Sequence, residues 1–166
     1  MNREILFKAK IKDNGKWVEG YYCKLDETTY CISEDYERHP VPTHHYILHE
    51  TMTDWGLPNR FLQFEIDPST ICQCTGLTDK NGKKIWENDI LKGCQYPFLF
   101  EGKENYYAKV IWFENCPAFG IYTFKNPKSN VRGISEGNTE LMESWNSEDW
   151  EVIGNVFDNA DLLGVE

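Results

Sequence analysis

The stretch from Gly133 to Glu166 contains no lysine and no arginine, although the chain as a whole holds 17 basic residues against 27 acidic ones. Nine acids crowd that stretch: Glu136, Glu140, Glu143, Glu148, Asp149, Glu151, Asp158, Asp161 and Glu166. With a formal charge of −10, the protein repels phosphate backbones and attracts cations or basic partners. A second absence is any apolar run near the roughly 18 residues that a membrane-spanning helix needs. Met1 to Lys10 also lacks the apolar segment of a secretory signal, which predicts a cytoplasmic protein.

Nucleotide-binding signatures are missing too. There is no G-x-x-x-x-G-K-[ST] loop and no G-x-G-x-x-G, so a phosphate cradle is not expected. Cys72 and Cys74 form C-x-C with no further pair of ligands at metal spacing, which argues against a zinc site, and no metal and no cofactor are expected. His39, His44, His45 and His49 are the remaining candidate ligands, and they sit in a region without a clear helix to align them. The six cysteines, at 23, 31, 72, 74, 94 and 116, are expected as free and mostly buried thiols in a reducing compartment.

What is abundant is aromatic side chains, 14% of the chain. Rings favour half-buried pleated surfaces, so a mainly β protein is expected. Ile5 to Ile11 and Lys16 to Tyr22 alternate apolar and polar residues around Asn14-Gly15, which predicts a hairpin with a two-residue type I′ turn. Counting outward pairs Ile11 with Val18, Ala9 with Gly20 and Phe7 with Tyr22, and on the other face Lys10 with Glu19. A further strand pair is expected around Asp26-Glu27, with Tyr30 to Ile32 as its second strand. Residues 34–59, with Pro40, Pro42, Pro58 and the four histidines, predict a long irregular loop holding one strand at Tyr46 to His49.

Alternation resumes at Phe61 to Ile66, a bend follows at Asp67 to Thr70, and a strand covers Ile71 to Cys74. Thr75 to Leu91 then reverses twice, at Asn81-Gly82 and at Glu87-Asn88, with Asp79 facing Lys84 across the first reversal. Strands are expected at Asp89 to Leu91, Tyr107 to Phe113, Phe119 to Phe124 and Trp150 to Phe157, and a short helix capped by Thr139 over Glu140 to Trp145. Loops are expected at 97–105 and 126–138. The expected organisation is an N-terminal β region over 1–74 and a small closed barrel over 75–166, since closure removes exposed edges.

Three blocks, NGKWVEGYY at 14–22, DPSTICQCTGLTDKNGKKIWENDIL at 67–91 and WEVIGNVFDNADLL at 150–163, together resemble the YopX family of phage and prophage proteins. The resemblance implies an SH3-type barrel in the C-terminal part and brings no catalytic residue with it. Two departures stand out. Asn88 occupies a position where the family usually has Gly, and Cys74 one where it usually has an aromatic residue. Asn tolerates positive φ best after Gly, so a left-handed backbone is expected at 88.

With no catalytic motif, the leading expectation is a non-catalytic accessory protein that binds another protein, one that is basic, or a second copy of itself. A nucleic-acid module is the second expectation, using Lys80, Lys83 and Lys84 for phosphate and Trp86, Tyr106, Tyr107 and Trp112 for stacking. The third is an enzyme joining one of the cysteines to a histidine.

Overall fold

The computed structural model describes residues 4–94, 105–125, 139–142 and 149–163. It is mainly β, with antiparallel pairing throughout the described sheets and little helix. Two compact units divide the chain, Glu4–Gln73 and a second that runs from Cys74 onward. The expected loops at 97–105 and 126–138 lie almost wholly outside the described residues.

In the first unit, β1 (Phe7–Lys10), β2 (Trp17–Asp26), β3 (Thr43–Thr51) and β4 (Arg60–Glu65) form a meander in chain order. Beyond the ends of β1 and β4 the sheet curls until Ile11 bridges Ile66. There Lys12 N–H donates to the Glu65 carbonyl at 3.0 Å, and Asp67 N–H to the Lys10 carbonyl at 2.9 Å. Inside the curl Ala9, Val18, Ile47 and Ile66 are buried, with Phe7, Ile11, Tyr22, Phe64 and Ile71 packed on them. Each aliphatic side chain so buried contributes about 1.5–3 kcal/mol.

This closure resets the first hairpin. The observed partners are Phe7 with Gly20, Lys8 with Glu19, Ala9 with Val18 and Lys10 with Trp17, two residues away from the expected register. Lys12 and Lys10 bond to residues 65 and 67, while Ile11 stays in the hairpin, its N–H donating to the Lys16 carbonyl and its carbonyl accepting from Gly15 N–H, both at 2.8 Å, so the turn is the longer loop Lys12–Gly15. The Asn14 side chain accepts from Lys16 N–H at 2.9 Å, and Gly15 alone is left-handed, at φ 67°, so the type I′ turn does not form. A slip of two preserves the faces, and Ala9 and Val18 stay in the core.

The rest of this unit departs further from expectation. β2 runs on to Asp26 and pairs with β3, from Tyr21–Leu48 to Asp26–Thr43. Tyr30 to Ile32 is not a strand; it precedes the helix α1 (Ser33–Arg38), and Tyr30 packs edge-on against Tyr36 at 5.2 Å. Acids in its first turn and Arg38 in its last suit the helix dipole. Residues 34–59 are therefore not one irregular loop, because they hold most of α1 and the nine-residue β3. β3 hides its alternation because both its faces are partly covered. A 3-10 turn, Pro68–Thr70, follows with Asp67 capping Ser69 N–H at 3.0 Å.

β5 (Cys72–Thr78) pairs through Cys72 and Gln73 with β1, and through its later residues with β6 (Lys84–Trp86). The second unit's larger sheet has the order β10 (Thr139–Leu141), β9 (Ala118–Lys125), β8 (Asn105–Phe113), β7 (Asp89–Cys94), β11 (Trp150–Asn155). It is open, with β10 and β11 as its outer strands among the described residues. Thr139 and Glu140 begin a strand rather than a helix, because they pair with Tyr122 and Ile121; residues 143–148 lie outside the description. Ile85, Leu91, Val110, Ile121 and Trp150 form the core of this unit.

The stretch 75–91 is anchored by a buried carboxylate. Asp79, 4% exposed, accepts from Asn81 N–H at 2.8 Å and Lys83 N–H at 2.9 Å within its own turn, and from Val152 N–H at 3.0 Å on β11. It binds the Lys83 backbone instead of facing Lys84, and Lys84 pairs with Thr78. Gly82 is left-handed, at φ 78°, while Asn81 is not. The reversal is thus a three-residue loop, Lys80–Gly82, rather than type I′. Asn88 adopts the expected left-handed backbone, φ 63°. Its N–H donates to the Val110 carbonyl and its carbonyl accepts from Val156 N–H, both at 3.0 Å.

Two tests follow from these contacts. A Cβ at Gly20 would stand 2.1 Å from the Leu48 carbonyl oxygen, so Gly20→Ala should destabilise the protein by about 1–3 kcal/mol in denaturant unfolding. Burial raises the Asp79 pKa, but the donors on Val152, Lys83 and Asn81 outweigh it and hold the carboxyl below its ordinary 3.8. Since the unfolded chain binds that proton more readily, the stabilisation is full above about pH 4 and fades as the pH falls through the lowered value. Asp79→Ala should cost about 1–3 kcal/mol at neutral pH, and its deficit against the unsubstituted protein should shrink on acidification.

Candidate functional site

Among the described residues the most exposed apolar surface lies at the far end of β3 and β4. The pairing of β2 with β3 starts at Leu48, so His49, Glu50 and Thr51 are flanked only by Leu62, Phe61 and Arg60 of β4. This two-stranded ribbon and its loop form an arm. Met52 is 91% and Trp55 102% exposed, and Leu57, Phe61 and Leu62 are exposed as well.

The loop of the arm is built. Leu57 N–H donates to the Asp54 carbonyl at 3.0 Å, and Gly56 at φ 83° supplies the left-handed step that places Trp55 at the apex. The Thr53 hydroxyl lies 3.1 Å from the Leu57 carbonyl and 2.9 Å from that of Pro58. Asn59 donates to Glu50 at 3.2 Å, and Thr51 to the Arg60 carbonyl at 3.0 Å. At the root, Phe61 packs edge-on against Tyr21 at 6.1 Å, and the Tyr21 hydroxyl donates to Glu4 at 2.6 Å, an acceptor that raises its pKa. The bonded loop thus sets Trp55 and Phe61 outward as an exposed apolar patch.

The histidines are spent on other contacts. His49 Nδ1 lies 2.7 Å from the Glu19 carbonyl, His45 Nδ1 2.6 Å from the Tyr22 hydroxyl, and His44 reaches Glu27 and Glu65. His39 packs near Tyr30, ring centroids 6.4 Å apart. Cys72 and Cys74 are buried, and the Cys72 thiol donates to the Thr70 carbonyl at 3.4 Å. The described thiols are free but not mostly buried, for Cys31 and Cys116 are exposed and Cys23 half-buried. No three His, Cys, Asp or Glu side chains among the described residues are grouped to hold a metal ion.

A recess of about 550 Å³ opens where β1 and β4 meet, lined by Lys10, Lys12, His45, Glu65, Ile66 and Asp67. Lys12 and Glu65 pair within it at 2.7 Å. Glu65 is held below the usual carboxylate range by Lys12 first and His44 second, and Asp67 by the Ser69 hydroxyl and N–H.

The lysines of the second turn are also occupied. Lys80 pairs with Glu151 at 2.7 Å, Lys83 reaches the Val152 carbonyl at 3.5 Å, and Lys84 stands 5.7 Å over the Trp86 ring. Trp86 is buried at 3% exposure. Tyr107 packs on Phe124 and Trp112 on Phe119, while the Tyr106 side chain lies outside the description. Of the nine acids, Glu151 is paired and Asp149, Asp158 and Asp161 are on the described surface. Glu136, Glu143, Glu148, Glu166 and the side chain of Glu140 lie outside it.

No helix among the described residues is long and apolar enough to cross a membrane. No curated protein matches the chain. Protein EF1440 from Enterococcus faecalis, known from a crystal structure, is similar over 96% of this chain and 98% of its own, at 15% identity and a TM-score of 0.47. The family model described as YopX protein matches residues 6–164, which includes all three sequence blocks, and the chain therefore belongs to the YopX family.

Proposed function

We propose that this is a phage or prophage accessory protein, working in the cytoplasm of its host, that acts without catalysis by gripping another protein with the arm of β3 and β4. One observation carries the reading: Met52, Trp55, Leu57, Phe61 and Leu62 stand exposed on a hydrogen-bonded ribbon. Trp is the residue most enriched at energetic centres of interfaces, and the open edge of β4 offers main-chain groups to an added strand. Glu50 and Asp54 flank the apolar tip, and the chain is strongly acidic. The fitting partner is a protein with an apolar recess rimmed by basic groups.

Support for the SH3-type reading of the second unit is connectivity. β7 to β10 form a meander and β11 returns to β7, with a register shift between Val152 and Gly154. Strands so connected need only further curl to close.

The test is capture from host cells, with and without prophage induction, using the unsubstituted protein and Trp55→Ala as baits. Trp55 is fully exposed, so the variant should keep its unfolding free energy within about 0.5 kcal/mol. One basic protein should be enriched on the first bait and lose about 2 kcal/mol or more of affinity for the second. A partner held equally by both baits would overturn the reading. So would a wild-type protein that only self-associates, or one that binds nucleic acid in a salt-dependent manner.

A further inference from the structure

The two ring nitrogens of His44 each face a carboxylate. Nδ1 lies 3.1 Å from Glu65 Oε1, and Nε2 lies 2.8 Å from Glu27 Oε1. Ionised carboxylates only accept hydrogen bonds, and a neutral imidazole carries a single N–H. Both contacts are therefore satisfied together only by the imidazolium.

The two carboxylates belong to distant parts of the first unit. Glu65 ends β4, and its Oε1 also accepts from Lys12 Nζ, in the first turn, at 2.7 Å. Glu27 follows β2 and opens the segment 28–42 that contains α1. The base of that segment is closed by Glu27 N–H donating to the Pro42 carbonyl at 3.0 Å and by the Thr43 hydroxyl bonded to Asp26 at 2.5 Å. The other neighbours of His44 are the stacked ring of Tyr46 at 6.0 Å and Leu25 across the ladder. The further charged groups around the site are Asp26, bonded to Thr43, Asp13 beside Lys12, and Lys24 opposite His45.

We propose that His44 is a proton-operated clasp at the base of the segment 28–42, joining Glu27 to Glu65 when protonated and releasing one of them when neutral. The Glu27 and Glu65 hydrogen bonds raise the His44 pKa against a smaller opposing effect of desolvation. A raised value sets the sign. The clasp is closed below the His44 midpoint and opens as the pH rises through it. Above it the main-chain bond and the Thr43–Asp26 bond remain, so the base loosens without unfolding. His44 thereby couples the order of that segment, which carries the exposed Tyr36 and Ile32, to pH.

NMR on the whole chain tests this. The His44 ring should titrate above pH 6.5, and Glu27→Gln and Glu65→Gln should each lower that midpoint. Amide protection factors over 28–42, corrected for intrinsic exchange, should fall about two- to fivefold across the midpoint, the scale of one half-exposed ion pair. In His44→Gln they should not vary with pH. A midpoint unmoved by either glutamine variant would overturn the clasp, as would identical protection profiles in His44→Gln and the unsubstituted protein.

Discussion

A buried carboxylate in a hairpin turn holds the second unit together. Asp79 gathers two N–H groups from its own loop and a third from Val152, so one side chain both shapes the turn and moors it to β11. Lys80 N–H repeats the mooring one residue later, donating to the Trp150 carbonyl at 2.9 Å. An isolated carboxylate could not be buried here at acceptable cost, but one that meets aligned main-chain donors is favoured in its ionised form. Thr75 adds a second link, its buried hydroxyl donating to the Ile85 carbonyl at 2.9 Å. Among the described residues no buried side-chain nitrogen or oxygen lacks a partner.

The first unit depends on a different device. Its four strands are joined in order, and the sheet curls until residues beyond β1 and β4 pair. Only the near end of the sheet is drawn together by that curl. At the far end β3 and β4 outrun β2 and become the arm, where apolar residues have no core to enter. The same curvature thus accompanies the open recess at one end and the exposed ribbon at the other. The lysines that a nucleic-acid reading relied on are engaged locally, with Glu151, with a main-chain carbonyl and with Trp86.

Much of the fold was legible because it is written in period-two alternation. The strands expected at 61–66, 107–113, 119–124 and 150–157 correspond to β4, β8, β9 and β11, the last ending at Asn155, and the left-handed Asn88 was legible too, since few residues tolerate that φ. β3 was legible only at its centre, as the expected strand Tyr46 to His49, because a strand partly covered on both faces shows no alternation that would mark its full length. The helix expected from Thr139 failed for a related reason. Acids after a threonine satisfy local capping rules, but an available edge on β9 claims Thr139 to Leu141.

By itself the sequence determined which faces are apolar, where the chain must reverse, the net charge and the family, because each depends on residue type and local spacing. Only the tertiary structure decided which residues stand opposite one another. A two-residue slip in β1 and β2 leaves every side chain on its face, so alternation cannot detect it; it goes with the bonds that tie Lys12 to Glu65 and Lys10 to Asp67, across the chain. The arm and the His44 contacts belong to the same class. His44 meets Glu27 and Glu65 across 17 and 21 residues of chain, and no local pattern records a meeting made by the pairing of β3 with β2 and β4.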